Sequence, residues 1–153
     1  MSSDTVFEIE IPSDNEGYVL MQCPKCGSLF KLHPSDISDD SVLDIRCPAC
    51  GVVSKSFLTE DVIVYANVIA KNYAMNAIYE EMKTLEKQTC GGLISFKAGN
   101  KPRDEEMQPL SPAVEALIEV ECDQCHKTAK VQPLLALSKY NCPFCGVGGF
   151  NDK

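Results

Sequence analysis

Hydrophobic and polar positions alternate over Val6-Phe7-Glu8-Ile9-Glu10-Ile11, a period-two pattern that predicts a strand rather than an acidic docking tail. The turn-prone Pro12-Ser13-Asp14-Asn15-Glu16-Gly17 ends it. Short apolar runs then recur around pairs of cysteines. Tyr18 to Gln22 and Gly27 to Leu32 predict strands into and out of a first turn, and Val42 to Arg46 and Val52 to Phe57 flank a second. His33-Pro34-Ser35-Asp36 turns the chain between them.

The period changes after Thr59. Apolar residues fall at spacings of three and four as far as Gln88, which predicts one long helix. Thr59 suits the N-cap, Glu60 and Asp61 suit the positive end of the helix dipole, and Gly91-Gly92 stops the helix. Val62, Tyr65, Ile69 and Tyr73 form one apolar line; Met75, Ile78, Met82 and Leu85 continue it on a neighbouring face. Such a helix reaches about 45 Å. Packing of this stripe inside the molecule is the favoured expectation, followed by self-association and then a separate partner.

Beyond the helix, Leu93 to Lys97 predicts a short strand, and Ala98 to Pro112 reads as a linker with a solvated charged run from Lys101 to Glu106. Ala113 to Glu121 predicts a strand, with a helical turn over Val114 to Ile118 as the alternative. Pro133 to Tyr140 bridges two further cysteine pairs, and Val147 to Phe150 ends the sheet. The expected organisation is an acidic strand or tail at 1–17, a first cysteine-rich unit at 18–58, the long helix at 59–90, a strand and linker at 91–117, and a second cysteine-rich unit at 118–153.

Eight of the nine cysteines form four C-x-x-C pairs: Cys23/Cys26, Cys47/Cys50, Cys122/Cys125 and Cys142/Cys145. Twenty residues separate the first two pairs and sixteen the last two, a spacing that lets two turns close on one ion. Two thiolates three positions apart on a tight turn can both reach a metal at about 2.3 Å, and a second turn completes a tetrahedron. Three pairs read C-P-x-C-G, in which proline presets φ and glycine accepts φ > 0. The pair Cys122-Asp123-Gln124-Cys125-His126 departs from that pattern. The halves also look repeated: Lys31-Leu32-His33-Pro34 follows Cys26 as Lys130-Val131-Gln132-Pro133 follows Cys125, and only the central loop differs, by four residues.

With these motifs the chain resembles the zinc-ribbon superfamily over roughly residues 18–58 and 118–150. Its first half is similar to small ribbons at the termini of many bacterial proteins, and related ribbons occur in transcription factors and RNA polymerase subunits. The resemblance implies β-hairpin zinc sites and says little about activity. The expected fold is a small α+β metal-stabilised protein, with two four-cysteine zinc ribbons joined by a long α-helix and two Zn²⁺ per chain.

Other metal and redox chemistries fit less well. Cys122-x-x-Cys125-His126 matches a haem-attachment pattern but leaves Cys142 and Cys145 unexplained, and His126 reads more simply as a turn residue. Thioredoxin-like redox chemistry uses one C-x-x-C at a helix start, not four. A rubredoxin-like iron carrier remains the minor alternative. Cys90 has no motif tying it to a base and is read as an unpaired thiol at a helix end.

The formal charge is −8, and eight thiolates with two Zn²⁺ would take it to roughly −12. That balance disfavours non-specific nucleic-acid or membrane binding and favours a partner with a basic surface. Lys25, Lys31, Arg46 and Lys55 with Phe30, and Lys127, Lys130 and Lys139 with Tyr140 and Phe144, are the residues a nucleic-acid contact would use. No basic-then-apolar leader or bilayer-length apolar run is visible, so a cytoplasmic protein is expected. Closed four-thiolate sites, with no Ser-His-Asp set, phosphate-cradling glycine loop or H-E-x-x-H, argue against an enzyme. The expected role is a protein–protein interaction adaptor, with a nucleic-acid-binding ribbon protein of transcription or replication as the alternative and a homo-oligomer through the central helix also open.

Overall fold

The computed structural model describes residues 5–111 and 116–150 and divides into two compact units, 1–62 with 110–153, and 63–109. In the first unit, β1 (Val19–Gln22) and β2 (Leu29–Leu32) form a hairpin across the first cysteine pair. A short helix, α1 (Pro34–Ile37), follows, with proline at its start where no N–H is needed. The second half repeats this with β3 (Ile118–Glu121), β4 (Thr128–Val131) and α3 (Pro133–Leu137); the long helix α2 (Glu60–Thr89) lies between the halves in sequence. Finally β5 (Lys139–Asn141) pairs with β6 (Gly148–Phe150) around the last cysteine pair. Its counterpart in the first half is a single bridge between Arg46 and Val53, less than the strand expected from Val52 to Phe57.

The two hairpins are not separate. They join edge to edge as one antiparallel sheet in the order β1-β2-β4-β3, with Lys31 opposite Lys130 and Leu32 opposite Ala129. Lys31 and Lys130 each lie five residues after the second cysteine of a pair, so each faces its own counterpart. A local two-fold relation therefore passes between them.

Side chains alternate across the sheet. Phe30, Leu32, Ala129 and Val131 are buried from one side, and Phe30, Leu32 and Ala129 pack with Phe57, Phe144 and the cysteines Cys23, Cys47, Cys122 and Cys142 in one core. The Phe30 and Phe57 rings meet edge to face at 5.4 Å.

The central lysines need a counter-charge, since like charges directly opposite on paired strands repel. Asp14 supplies it. Its Oδ2 accepts from Lys31 Nζ at 3.0 Å and Lys130 Nζ at 3.1 Å, and Glu16 also pairs with Lys130. Burial disfavours the Asp14 charge, but hydrogen bonds from the Tyr18 N–H, both lysines and the Glu16 N–H hold its carboxyl well below the usual range. Tyr18 lies under Lys130 and its hydroxyl bonds to Glu119 and Thr128.

In the second unit, α2 runs to Thr89, one residue past the expected end. The later segment returns to this helix: the Asn72 amide donates to the Glu105 carbonyl and accepts its N–H, at 3.0 and 2.8 Å, and Lys71 pairs with the Glu105 carboxylate. Asn76 donates to Asp104 at 2.8 Å. Of the stripe expected to pack internally, Val62 is buried and Tyr65 and Ile69 are half-buried, but Met75, Ile78, Met82 and Leu85 are 41–51% exposed.

Two expected strands do not form. Residues 6–11 and 93–97 are irregular among the described residues despite their patterns, and Leu93 and Ile94 are largely solvent-exposed. A strand exists only through its partner's hydrogen bonds. Beside the end of β1, the Gln22 N–H already donates to the Phe57 carbonyl. Residues 112–115, including Val114 and Glu115 of the alternative helical turn, lie outside the described residues, and Ile118 belongs to β3. Among those described, no helix is long and apolar enough to cross a membrane.

Candidate metal centres

Each cysteine pair sits on a knuckle of the same build. The N–H of the first cysteine donates to the carbonyl five residues on: Cys23 to Ser28, Cys47 to Val52, Cys122 to Lys127 and Cys142 to Val147, at 2.9–3.0 Å. The carbonyl of that cysteine accepts from residue 27, 51, 126 or 146, four positions on. This closure puts that residue in the left-handed region, where glycine meets no Cβ penalty. Gly27, Gly51 and Gly146 have φ of 70–73° and His126 follows at 55°. His126 thus takes glycine's conformation rather than a ligand's place, and its Nδ1 lies 3.4 Å from Glu121.

The knuckles close into two clusters, Cys23/Cys26/Cys47/Cys50 and Cys122/Cys125/Cys142/Cys145, in which every sulfur lies within 4.8 Å of the others. Sγ–Sγ distances are 3.7 Å for Cys23–Cys50 and 3.6 Å for Cys26–Cys47, Cys122–Cys145 and Cys125–Cys142. A tetrahedron with metal–sulfur bonds of about 2.3 Å has sulfur–sulfur edges of about 3.8 Å. The spacing therefore fits a four-thiolate ion. The first cysteine of every knuckle is buried, while Cys26, Cys50 and Cys145 are exposed and Cys125 is half-buried.

The electrostatics point the same way. Burial pushes the Cys47 thiol up to about 12 and Cys142 higher still, although N–H groups of their own knuckles offset part of this. Burial also acts against ionisation at Cys26, but the Ser28 hydroxyl and N–H and the neighbouring thiols bring it down to about 6. At Cys122 burial again opposes ionisation, but the Cys125 and Gln124 N–H groups together with the Cys142 and Cys145 thiols bring it down to about 7. Each cluster thus holds a thiol ready to ionise beside one that resists. A divalent cation at the centre removes the conflict, because coordination deprotonates thiols outright.

The other candidate residues are dispersed. Phe30, Tyr140 and Phe144 are buried in the ribbon unit, so these three rings are not open for stacking on bases. Lys31 and Lys130 are held by Asp14, and Lys127 pairs with Asp36 at 3.3 Å and Asp39 at 2.7 Å. Cys90 is exposed and belongs to neither cluster.

Sequence reasoning overlooked Asn141 and considered Arg46 only as a nucleic-acid contact; each stands just before a second-knuckle cysteine. The Arg46 N–H donates to the Pro143 carbonyl at 2.9 Å and the Asn141 N–H donates to the Pro48 carbonyl at 2.8 Å. The repeat alignment places them in equivalent positions, but only the pairing of the halves makes them partners.

No protein-family model, curated protein or solved structure matches this chain.

Proposed function

We propose that the chain is a non-catalytic zinc-ribbon protein that holds two structural Zn²⁺ and serves as a protein–protein interaction adaptor. The observation carrying this reading is that each cluster offers four thiolates at tetrahedral spacing, with its inner sulfurs in the core of the ribbon unit. Four protein ligands leave no coordination position for water or substrate, whereas catalytic zinc keeps one open. The ions would stabilise the fold, supplementing a core too small to stand alone.

The adaptor role is supported by how charge and apolar surface are divided. Residues 63–109 carry six acidic and six basic side chains, so the acidity of the chain lies in the ribbon unit, with sixteen acidic and eight basic residues. The ribbon unit suits a basic partner surface. The neutral helical unit carries the exposed Met75, Ile78, Met82 and Leu85, and contiguous apolar surface of this kind marks interaction sites. A cytoplasmic setting, where thiols stay reduced, suits the four-cysteine sites.

Metal analysis of protein purified without added metal tests the first half: two zinc per chain is expected, while iron with a red colour would replace structural zinc by electron transfer. Capture from extract with and without nuclease tests the second. A stoichiometric protein partner should survive nuclease and be lost with Ile78→Glu or with charge reversal on the ribbon unit, at unchanged metal content. Partners that disappear with nuclease would make this a nucleic-acid-binding protein instead.

A further inference from the structure

We infer that the two metal sites are coupled, so that loading one raises the affinity of the other; this rests on the reading of both clusters as metal centres. The coupling element is a reciprocal clasp between their second knuckles. Arg46, preceding Cys47, donates its N–H to Pro143 of the other knuckle, and Asn141, preceding Cys142, donates its N–H to Pro48. The acceptor prolines follow the ligand cysteines directly, and both are fully buried. Each knuckle is thus hydrogen-bonded through its own second residue to the chain entering the opposite site.

The side chains of the clasp are reciprocal too. Arg46 lies against Gly146, where a Cβ would stand 2.8 Å from its Nε, and Asn141 lies against Gly51, where a Cβ would stand 3.3 Å from its Nδ2. Glycine at 51 and 146 meets the positive φ and also lets the Arg46 and Asn141 side chains lie close against the opposite knuckle. The first knuckles make the contrast: a Cβ at Gly27 would meet nothing within 4 Å, and the equivalent position is His126. The two knuckles joined by the clasp both carry glycine, whereas of the other two one carries glycine and the other His126.

The clasp and the shared core give a route for coupling. An empty site leaves four mutually repelling or protonated thiols around a turn that no ion holds. The partner site then loses a formed carbonyl acceptor, a formed donor and the packing of Phe30, Leu32 and Phe144. Metal at one site restores these for the other, and the coupling must be equal in both directions.

Native mass spectrometry of the full chain during titration with zinc tests this without any substitution. With one equivalent of zinc bound per chain, independent equal sites would leave about half of the chains singly loaded, and unequal sites more. Coupling predicts a singly loaded fraction well below half, with empty and doubly loaded chains dominating; half or more overturns it. A chain that binds no zinc at all would sink the metal reading itself, an outcome the same spectra separate from uncoupled loading. In a second measurement, Cys122→Ser/Cys125→Ser removes ligands outside the clasp, and cobalt absorption reports the affinity of the first site. A loss of about tenfold or more is expected, and Cys23→Ser/Cys26→Ser should weaken the second site by a similar factor. Affinities within twofold of wild type would overturn the coupling.

Discussion

The ribbon unit and the helical unit are built on opposite economies of side chains. In the ribbon unit a few large residues are fully enclosed, two hairpins join as one open sheet, and even its central lysines have assigned counter-charges. In the helical unit a thirty-residue helix leaves its apolar stripe open, and the returning segment is attached through polar contacts at Asn72, Lys71 and Asn76. One unit uses its apolar groups for its own fold, and the other leaves them to be used. The difference teaches where damage should spread and where it should stay local.

The largest effect should come from Cys47→Ser. Removing a buried ligand is expected to release metal and abolish cooperative unfolding of the ribbon unit, read by metal content and calorimetry, while far-UV circular dichroism keeps its helical signal. Loss of the helix as well would erase the contrast between the units.

Next comes Asp14→Asn, which leaves Lys31, only 6% exposed at its side chain, without its carboxylate. A stability loss of about 3 kcal/mol is expected from denaturant titration at neutral pH. The sign with pH follows from the depressed carboxyl. Its contribution is complete above the unfolded value of about 3.9 and fades as pH falls below it. The variant's disadvantage should therefore be constant near neutrality and shrink in acid.

In the helical unit, Asn72→Ala removes two hydrogen bonds to Glu105 and should cost about 1 kcal/mol locally. Hydrogen exchange should quicken at Glu105 and its neighbours, with metal content unchanged. Smallest of all, Cys90→Ser should shift stability by about 0.5 kcal/mol or less and leave two zinc per chain. Equal damage from Cys47→Ser and Cys90→Ser would give Cys90 a role its exposed position does not suggest.

Local chemistry made much of this legible. C-x-x-C spacing, proline after the first cysteine and glycine after the second specify knuckles within a few residues, and the apolar spacing with Gly91-Gly92 specifies the long helix. Non-local pairing was not legible. Alternation at Val6 to Ile11 promises a strand, but the described segment stays irregular, because alternation alone does not specify which strand would pair with it. Phe30 and Phe144 beside lysines look like a nucleic-acid surface until the sheet folds the rings inward and Asp14, Asp36 and Asp39 engage the lysines. The edge-to-edge joining of the hairpins rests on Leu32 meeting Ala129, a contact between residues nearly a hundred positions apart that no motif announces.

The axis between Lys31 and Lys130 has a further consequence. The ribbon unit has the form of a symmetric dimer written into one polypeptide, so its halves meet at the high effective concentration of a tether rather than by diffusion. A true dimer would bring two copies of Asp14 to the midline, one for each lysine. A single chain brings one, and it serves both lysines. Freed from strict symmetry, the halves can differ: His126 replaces a glycine, Ala129 stands where the other half has Phe30, and one loop is shorter by four residues. A protein assembled from two separate copies could keep none of these differences.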